Sequence, residues 1–392
     1  MTDPLTFLDR YDLAELERDP YPMFARMRRE CPVALFRPTN QWFVSRWDDC
    51  AALGTDPRLG GSQMTIPLFG ESVLSLDGGD HEDIRRGVDP TLRARTVAGY
   101  RDVITRPAAG FYTEKLKPSG RAEAVGDILE RISVRAVGDI LGLEGVDDDT
   151  RQEWFQAIAG ELGNVGSDPE IASRSQRAVE QVDEYLRVRI ALVTESPDES
   201  GLSTLVHVGR EDGVPRTYEE VIGTLRVTIM GGFQEPGHAA AAALYGLLSS
   251  PEQLNEVRDD LSLLPKAIHE GLRWLSPFNT AERLVRERIE VAGTTLEPGE
   301  EIVLLLGSAN HDESRYEMPE MFDIHRPMQA HASFGFGRHF CAGHALGRSV
   351  ASVTLEEMLT RLPSLRLDES NPPLVAGFIT RAVKRLPVVW DC

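Results

Sequence analysis

The sequence contains few cysteines, and they are widely scattered. Only four occur among 392 residues, namely Cys31, Cys50, Cys341 and Cys392. A disulfide framework or an iron–sulfur cluster requires several cysteines at close spacing. Both are therefore excluded, and we expect the chain to work in the reducing cytoplasm.

Long apolar runs and excess positive charge are also missing. No segment approaches the roughly 18 apolar residues that span a bilayer. The first residues lack the basic region and apolar stretch of a signal peptide, so we expect neither a signal nor a membrane anchor. The chain has 42 basic and 62 acidic residues and a net charge of −20, which argues against nucleic acid or an anionic membrane as partner.

No linker, internal repeat or low-complexity tract divides the chain. The patches rich in Pro, Gly, Ser and Asp are each no longer than a loop, at 117–120, 163–169, 195–202 and 211–215. The sequence therefore predicts one large domain spanning residues 1–392.

Apolar residues recur at three- and four-residue spacing over most of the chain, which predicts a mainly helical protein. The predicted helices include residues 21–30, 84–92, 126–143, 174–195, 218–248, 264–275 and 345–362. Strand-like alternation is confined to residues 33–37 with 41–45, 289–291 with 294–296, 302–305 and 383–390. The expected fold is mainly α, with small β-sheets at its margin.

The most informative stretch is Phe334-Gly335-Phe336-Gly337-Arg338-His339-Phe340-Cys341-Ala342-Gly343. Its glycines allow backbone turns that bring main-chain N–H groups around the Cys341 sulfur, just before a predicted helix. One thiolate with no second cysteine nearby suits a haem iron better than zinc or an iron–sulfur cluster. Two alternatives stay open: a buried structural thiol, and a zinc cluster of His339, Cys341 and His344.

The run meets every fixed position of the pattern Phe-Gly-x-Gly-x-His-x-Cys-x-Gly, and so resembles the haem-binding signature of the cytochrome P450 family. Other segments resemble the family in the same order over nearly the full chain. The resemblance implies a haem b between the long central helix and the helix after the cysteine, contacted by Phe334 and with Cys341 as axial thiolate. It also implies an oxidoreductase that uses O2 to oxidise a small apolar or aromatic substrate.

The electrons for such a reaction must come from another protein. The chain has no Gly-x-Gly-x-x-Gly dinucleotide motif and no cysteine cluster. The resemblance therefore implies that NAD(P)H supplies electrons through a separate flavin/iron–sulfur reductase or ferredoxin.

The predicted central helix carries an unusual middle. It begins at a capping box, Thr217 to Glu220, and contains Gly231-Gly232-Phe233-Gln234-Glu235-Pro236-Gly237-His238. An interior glycine costs on the order of 1 kcal/mol relative to alanine and an interior proline about 3 kcal/mol. Pro236 also deprives the Gly232 carbonyl of its partner, which predicts a local opening. This segment is compatible with a packing kink and with a groove above a metal, and its position in the middle of the helix favours the groove.

The resemblance shows a departure at this place. Most members of the family carry an acid followed by threonine here, whereas this chain has Gln234 and then Glu235. A carboxyl group both donates and accepts protons, so we expect Glu235, with Gln234 beside it, to handle protons if burial raises the Glu235 pKa.

Two further sets of residues follow from the resemblance. Glu270 and Arg273 share one helix face at i, i+3 spacing and resemble the Glu-x-x-Arg motif, for which Arg326 is the expected third partner. The expected cations for the two haem propionates are His81, Arg85, Arg283 and His339.

Residues 231–238, 270–274 and 308–312 look like the bacterial guaiacol O-demethylase subgroup, which hydroxylates an aryl methoxy group so that a phenol and formaldehyde are released. By position, the residues lining the pocket would be Phe69, Leu162, Val227, Gly231, Thr280 and Phe378, with the two phenylalanines sandwiching a planar ring. Leu162 stands where the subgroup has phenylalanine, so larger or para-substituted methoxyphenols are also compatible. The alternatives are hydroxylation of another apolar biosynthetic compound, and a haem sensor or peroxide-driven enzyme.

Overall fold

The computed structural model describes residues 3–162, 164, 168–210 and 212–391. Within these residues the α-helices are α1 Leu13–Arg18, α2 Tyr21–Glu30, α3 Trp47–Thr55, α4 Ile66–Phe69, α5 Gly78–Leu92, α6 Ala94–Tyr100, α7 Arg106–Leu116, α8 Glu130–Leu141, α9 Asp148–Leu162, α10 Pro169–Glu195, α11 Gly201–His207, α12 Tyr218–Leu248, α13 Pro251–Asp259, α14 Leu264–Trp274, α15 Leu306–Ala309 and α16 His344–Arg361. The predicted mainly helical fold is confirmed.

Short strands form small sheets beside this helical body. They are β1 Val33–Phe36, β2 Gln41–Val44, β3 Leu59–Gly61, β4 Arg121–Glu123, β5 Thr280–Val285, β6 Ile289–Val291, β7 Thr294–Leu296, β8 Glu301–Leu305, β9 Arg366–Leu367, β10 Leu374–Ala376, β11 Ala382–Arg385 and β12 Pro387–Val389. The largest sheet has the order β1-β2-β8-β5-β3, in which only β2 and β8 pair in parallel. The alternation of apolar and polar residues did not reveal β5. Its buried positions include the polar Thr280, and its less buried positions include the apolar Ala281.

The central helix α12 organises the core. It packs against α8, α14 and α16, and its alanine run at 239–243 is almost completely buried. Small side chains let α14 approach closely, since a Cβ added at Gly271 would lie 2.7 Å from the Ala243 nitrogen. The helix begins as predicted: Thr217 accepts from the Glu220 N–H, and the Glu220 carboxylate accepts from the Thr217 N–H at 2.7 Å.

The structure contains no helix with the length and hydropathy of a membrane span in the part of the chain that it describes.

Candidate active site

The Cys341 loop is a tight turn that presents its sulfur at the start of α16. Gly335 and Gly337 have φ values of 70° and 67°, a region that favours glycine, and a Cβ at Gly337 would collide with the Gly54 carbonyl oxygen. The Cys341 N–H donates to the Phe334 carbonyl at 2.9 Å and closes the loop. The loop conformation therefore explains both glycines of the sequence pattern.

The Cys341 sulfur lies where a ligand can reach it. Cys341 is exposed, whereas Cys31 and Cys50 are buried. Desolvation by the surrounding protein raises the pKa of the Cys341 thiol, and the Gly343 N–H that bonds to the sulfur acts in the opposite direction. The charge of Glu235 on α12 also raises this pKa, so Glu235 lies near the sulfur, and the space between α12 and the Cys341 loop is termed the cleft.

Both alternative interpretations of Cys341 are wrong. Cys341 as a residue is exposed, which does not fit a buried structural thiol. No three or more His, Cys, Asp or Glu side chains lie together in a metal-binding arrangement anywhere in the described ranges. His339 points to the Val73 carbonyl at 3.3 Å and His344 to the Cys341 carbonyl at 3.0 Å, so their rings are used in different directions.

A cluster of cationic or donating groups lies at one edge of the cleft. The His81 and His339 rings are 4.6 Å apart, and the Nε2 atom of each is buried without a hydrogen-bond partner. Burial lowers the pKa of His81, and burial followed by the charges of Arg283 and His81 lowers the pKa of His339 to about 4. Both rings are therefore neutral at pH 7. In His339, Nδ1 donates to the Val73 carbonyl, so Nε2 is the acceptor nitrogen and lies 3.6 Å from Oδ1 of Asp77.

Arg283 completes this cluster from β5. It is 7% exposed, burial lowers the pKa of its guanidinium, and its Nη1 donates to the Glu282 carbonyl at 2.6 Å. A buried guanidinium normally pairs with a carboxylate, yet Arg283 has no ion pair with any side chain that the structure describes. The unpaired Arg283 guanidinium and the unpartnered Nε2 of His81 fit the carboxylates of a haem, and a carboxylate beside His339 would favour the protonated ring, whose Nε2–H donates.

Arg85 lies in the same region but is already engaged. Its Nε donates to Asp89 at 2.7 Å and its Nη1 to the Phe340 carbonyl at 3.0 Å. Arg85 therefore supports the loop residue next to Cys341, and its contact with a propionate stays a prediction. Phe334, also predicted to contact the haem, is half-buried under the Arg348 guanidinium, which lies 4.4 Å from its ring centroid.

The opposite wall of the cleft is the part of α12 at residues 231–238, which is unusual for a helix in its sequence and is termed the irregular turn. A Cβ at Gly231 would meet no atom within 4 Å, so this position leaves space above the cleft. A Cβ at Gly232 would lie 2.8 Å from Val137 Cγ1, so this glycine is required for α8 to pack closely. Together with the exposed thiol and the cationic edge, the open space at Gly231 fits a haem.

The predicted opening of α12 at Pro236 is wrong, because the helix stays continuous from Tyr218 to Leu248. The carbonyl that Pro236 leaves without a donor does find one from another helix. The hydroxyl of Ser133 on α8 donates to the Gly232 carbonyl at 3.1 Å. A side chain from a neighbouring helix thus replaces the missing N–H and keeps the turn helical.

Glu235 and Gln234 stand on this turn with unused polar atoms. Gln234 is buried, and Oε1 of each side chain is buried without a partner. Burial raises the pKa of Glu235 to about 6, although the charges of His238 and Lys384 lower it. A carboxyl with this pKa exists in both protonation states near neutral pH, as the sequence hypothesis requires.

The Glu270 and Arg273 side chains form a bidentate ion pair at 2.7 and 2.8 Å, with both groups buried. Arg326 Nε donates to the same carboxylate at 3.2 Å. Arg273 further donates to the carbonyls of Asn310, Pro319 and Met321. The triad therefore fastens the meander at 317–326 to α14.

The six residues predicted to line the pocket lie in different parts of the fold. Val227 is half-buried on α12 near Gly231, while Thr280 is buried and donates to Glu282 Oε1 at 3.2 Å. Phe69 is 1% exposed within the largest core cluster. Leu162 ends α9, and its side chain lies outside the described residues.

Phe378 does not sandwich a ring opposite Phe69. Its ring packs against Phe43, Phe24 and Phe36 at centroid distances of 5.7, 6.2 and 6.4 Å, in a different core cluster. Its aromatic faces are used by the N-terminal sheet, so the predicted sandwich has no support in the packing.

Sequence reasoning missed the contribution of α8 to the site. Ser133, Val137 and Glu130 all touch α12 around its irregular turn. They share one face of α8 at positions 130, 133 and 137, but only the folded structure shows which helix that face meets.

Comparisons with known proteins agree with this geometry. The family model described as Cytochrome P450 matches residues 170–381, more than half of the chain. The cytochrome P450 monooxygenase PikC of Streptomyces venezuelae is 30% identical over 387 residues, covering 95% of this chain and 91% of that protein. Cytochrome P450 107B1 of Saccharopolyspora erythraea is also 30% identical, covering 95% of each.

Solved structures give the same fold. P450BioI in complex with hexadec-9Z-enoic acid ligated acyl carrier protein superposes with a TM-score of 0.87 at 24% identity, covering 96% of this chain and 100% of that one, which bears on the fold alone. Ligand-free cytochrome P450 TbtJ1 has a TM-score of 0.86 at 26% identity, with 95% and 98% coverage. The chain, with its cysteine loop, cationic edge and central helix, belongs to the cytochrome P450 family and is a monooxygenase.

Proposed function

We propose that this monooxygenase hydroxylates a C–H bond of an apolar small molecule in a biosynthetic pathway, with Glu235 as the residue that delivers protons. The observation that carries the proposal is the Glu235 carboxyl: it lies across the cleft from Cys341, has an unpartnered buried oxygen, and has a pKa near 6.

The residues of this chain are suited to hold a haem b. Cys341 would be the axial thiolate, and His81, Arg283 and His339 would bind the propionates. When bound, the haem activates O2 and supplies the oxidant that replaces a C–H hydrogen by a hydroxyl. The family implies that a partner protein delivers the two electrons, which we propose come from NAD(P)H through a separate reductase or ferredoxin.

Glu235 would accept a proton from the interior of the protein and hold it on its carboxyl within the cleft. The neighbouring residue Gln234 also has a buried, unpartnered Oε1. This oxygen would accept a hydrogen bond from the protonated Glu235 carboxyl or from a water that both side chains share. Burial makes the ionised form of Glu235 costly, and this favours the protonated carboxyl.

The substrate class rests on relatives whose names state hydroxylation. The 6-deoxyerythronolide B hydroxylase of Saccharopolyspora erythraea is 27% identical over 396 residues, and the mycinamicin VIII C21 methyl hydroxylase of Micromonospora griseorubida is 28% identical over 363 residues. Both act in the chemistry that their names describe. We therefore place an apolar natural product first among the substrates of this chain.

Aryl O-demethylation is the second candidate. The Gln234-Glu235-Pro236-Gly237 sequence and the open space at Gly231 favour it, because a small methoxyarene fits beside a residue without a side chain. The packing of Phe378 into the core removes one half of the expected aromatic sandwich. Hydroxylation of an aryl methoxy carbon would release formaldehyde, whereas hydroxylation of an ordinary C–H bond would not.

The test is a spin-state titration of the ferric holoprotein with a macrolide panel and a methoxyphenol panel, followed by turnover with NADH and a surrogate ferredoxin and reductase. A hydroxylated product 16 mass units heavier supports the first candidate, and formaldehyde in equal amount to phenol supports the second. Turnover with hydrogen peroxide but none with the reductase would contradict both and favour a peroxide-driven enzyme.

A further inference from the structure

A buried polar group lies on α12 one turn beyond Glu235. His238 is 3% exposed, and its Nε2 lies 3.5 Å from Oε1 of Glu130 on α8. The other ring nitrogen, Nδ1, is buried and has no hydrogen-bond partner. A buried imidazole nitrogen without a partner is costly, so this atom is expected to face a polar atom or a water.

The unpartnered atom of Glu235 lies on the same side of the helix. Residues three positions apart on a helix have their Cβ atoms about 5–6 Å from each other. Oε1 of Glu235 and Nδ1 of His238 are thus two buried polar atoms, one turn apart, that no protein group satisfies. A single bridging water would satisfy both.

Glu130 connects this pair to the surface. Its Oε2 accepts from the side-chain amides of Gln152 and Gln156, both at 3.2 Å, and its side chain is 11% exposed. Gln156 itself is exposed on α9. Glu130 thus contacts the buried His238 on one side and the exposed Gln156 side chain on the other. Its carboxylate can therefore exchange protons with solvent.

We propose that Glu130 and His238 form the route by which protons from solvent reach Glu235, an inference that rests on the proposed proton role of Glu235. In the starting tautomer the ring hydrogen of His238 is on Nδ1 and Nε2 is unprotonated, so the Glu130 carboxylate takes up a proton from solvent and transfers it to Nε2. The resulting imidazolium releases its Nδ1 proton to the Glu235 carboxylate through the bridging water. One proton enters for each proton delivered, and exchange with solvent between turnovers restores the first tautomer of the ring.

The charges around this route favour the direction of transfer. Burial opposes ionisation of Glu130, but a protonated His238 ring and the bonds from Gln152 and Gln156 lower the pKa of its carboxyl, so transfer of the proton from Glu130 to His238 leaves a stabilised ion pair. From other elements, the charge of Lys384 on β11 lowers the pKa of Glu235, and Glu235 in turn raises the pKa of the Cys341 thiol. Burial also lowers the pKa of Lys384, while Glu235, Glu17 and Glu130 raise it.

The test uses the ferric holoenzyme and the variants His238→Gln, Glu130→Gln and Glu235→Gln. His207→Gln is the matched control, because His207 lies on α11, away from this route, and its ring bonds to the Val193 carbonyl at 2.8 Å. The first readout needs no turnover: melting temperatures of the single and double variants at positions 130 and 238. Removing both groups should lower the melting temperature by less than the sum of the single losses, and additive losses would show that the contact is not formed.

The second readout is NADH oxidation with surrogate ferredoxin and reductase, without added substrate, in H2O and D2O. We expect His238→Gln to slow water formation at least roughly tenfold and to raise the solvent isotope effect, because general acid–base groups contribute this much or more. Glu130→Gln should act in the same direction, and it keeps the test valid if His238→Gln loses haem.

The outcomes separate the route from the proposed function. Rates for both variants equal to that of His207→Gln, while Glu235→Gln is slow, would overturn the route alone. If Glu235→Gln is also as fast as the control, the proton role of Glu235 itself is contradicted.

Discussion

Replacing Glu235 by glutamine should make the protein more stable at neutral pH, by an amount that depends on pH in a defined way. Burial raises the pKa of Glu235 from its usual 4.5 to about 6, so the folded protein holds the proton more tightly than the unfolded chain does. Stability therefore falls as pH rises through this interval, and the full cost of ionised Glu235 is present above it. At 1.36 kcal/mol for each pKa unit, that cost is about 2 kcal/mol at pH 7.5 and about 0.8 kcal/mol at pH 5.

Glutamine has the same shape and no titration, so Glu235→Gln removes this cost without creating a cavity. We expect the difference in unfolding free energy between variant and parent to grow by about 1.2 kcal/mol from pH 5 to pH 7.5. Urea unfolding of the ferric holoprotein, followed by tryptophan fluorescence at both pH values, measures it. The exposed Glu199→Gln is the matched control and should show no such growth. An equal difference at both pH values would refute the burial argument for Glu235.

Three further changes test other parts of the site. Cys341→Ser should abolish the thiolate spectrum of the reduced carbon-monoxide complex, and unchanged Soret features would contradict axial ligation by Cys341. Glu235→Ala should keep the substrate-induced spin shift but uncouple NADH oxidation from product, so normal coupling would refute the proton role. Glu270→Ala should cost about 3–5 kcal/mol of stability, because it leaves the buried Arg273 charge unpaired; urea unfolding checks this, and a loss below about 1 kcal/mol would show that the backbone carbonyls alone satisfy Arg273.

Much of the fold follows from local patterns in the sequence. The bounds of α2 and α12 match the predicted 21–30 and 218–248, because each helix has a clear start signal and sustained apolar periodicity. The hairpin of β6 and β7 also matches, since Gly293 has a φ of 80° in its turn. Strand β5 escaped prediction because its place between β8 and β3 in the five-stranded sheet depends on pairing with β3, which is distant in sequence.

The candidate site likewise has one part that could be predicted from the sequence and one part that could not. The loop around Cys341 could be predicted because its glycines and cysteine are adjacent in sequence and impose the turn by themselves. The pocket could not, since Phe378 has the side chain of a ring-stacking residue but lies where three other phenylalanines already pack against it. Which apolar residue faces a cavity depends on the sheet and helix behind it, and a sequence pattern does not contain that information.

The behaviour of α12 at Pro236 shows why sequence cost and structural outcome differ. The proline removes an N–H from the helix ladder and the two glycines weaken the same turn, so the isolated segment is a poor helix. In the fold, α8 meets this turn with Ser133 bonded to the released carbonyl, Val137 packed on Gly232 and Glu130 beside His238. Ser133→Ala should therefore cost about 1 kcal/mol, since the half-buried Gly232 carbonyl then loses its donor. Urea unfolding with an unchanged midpoint would show that the helix carries its irregular turn without help from α8.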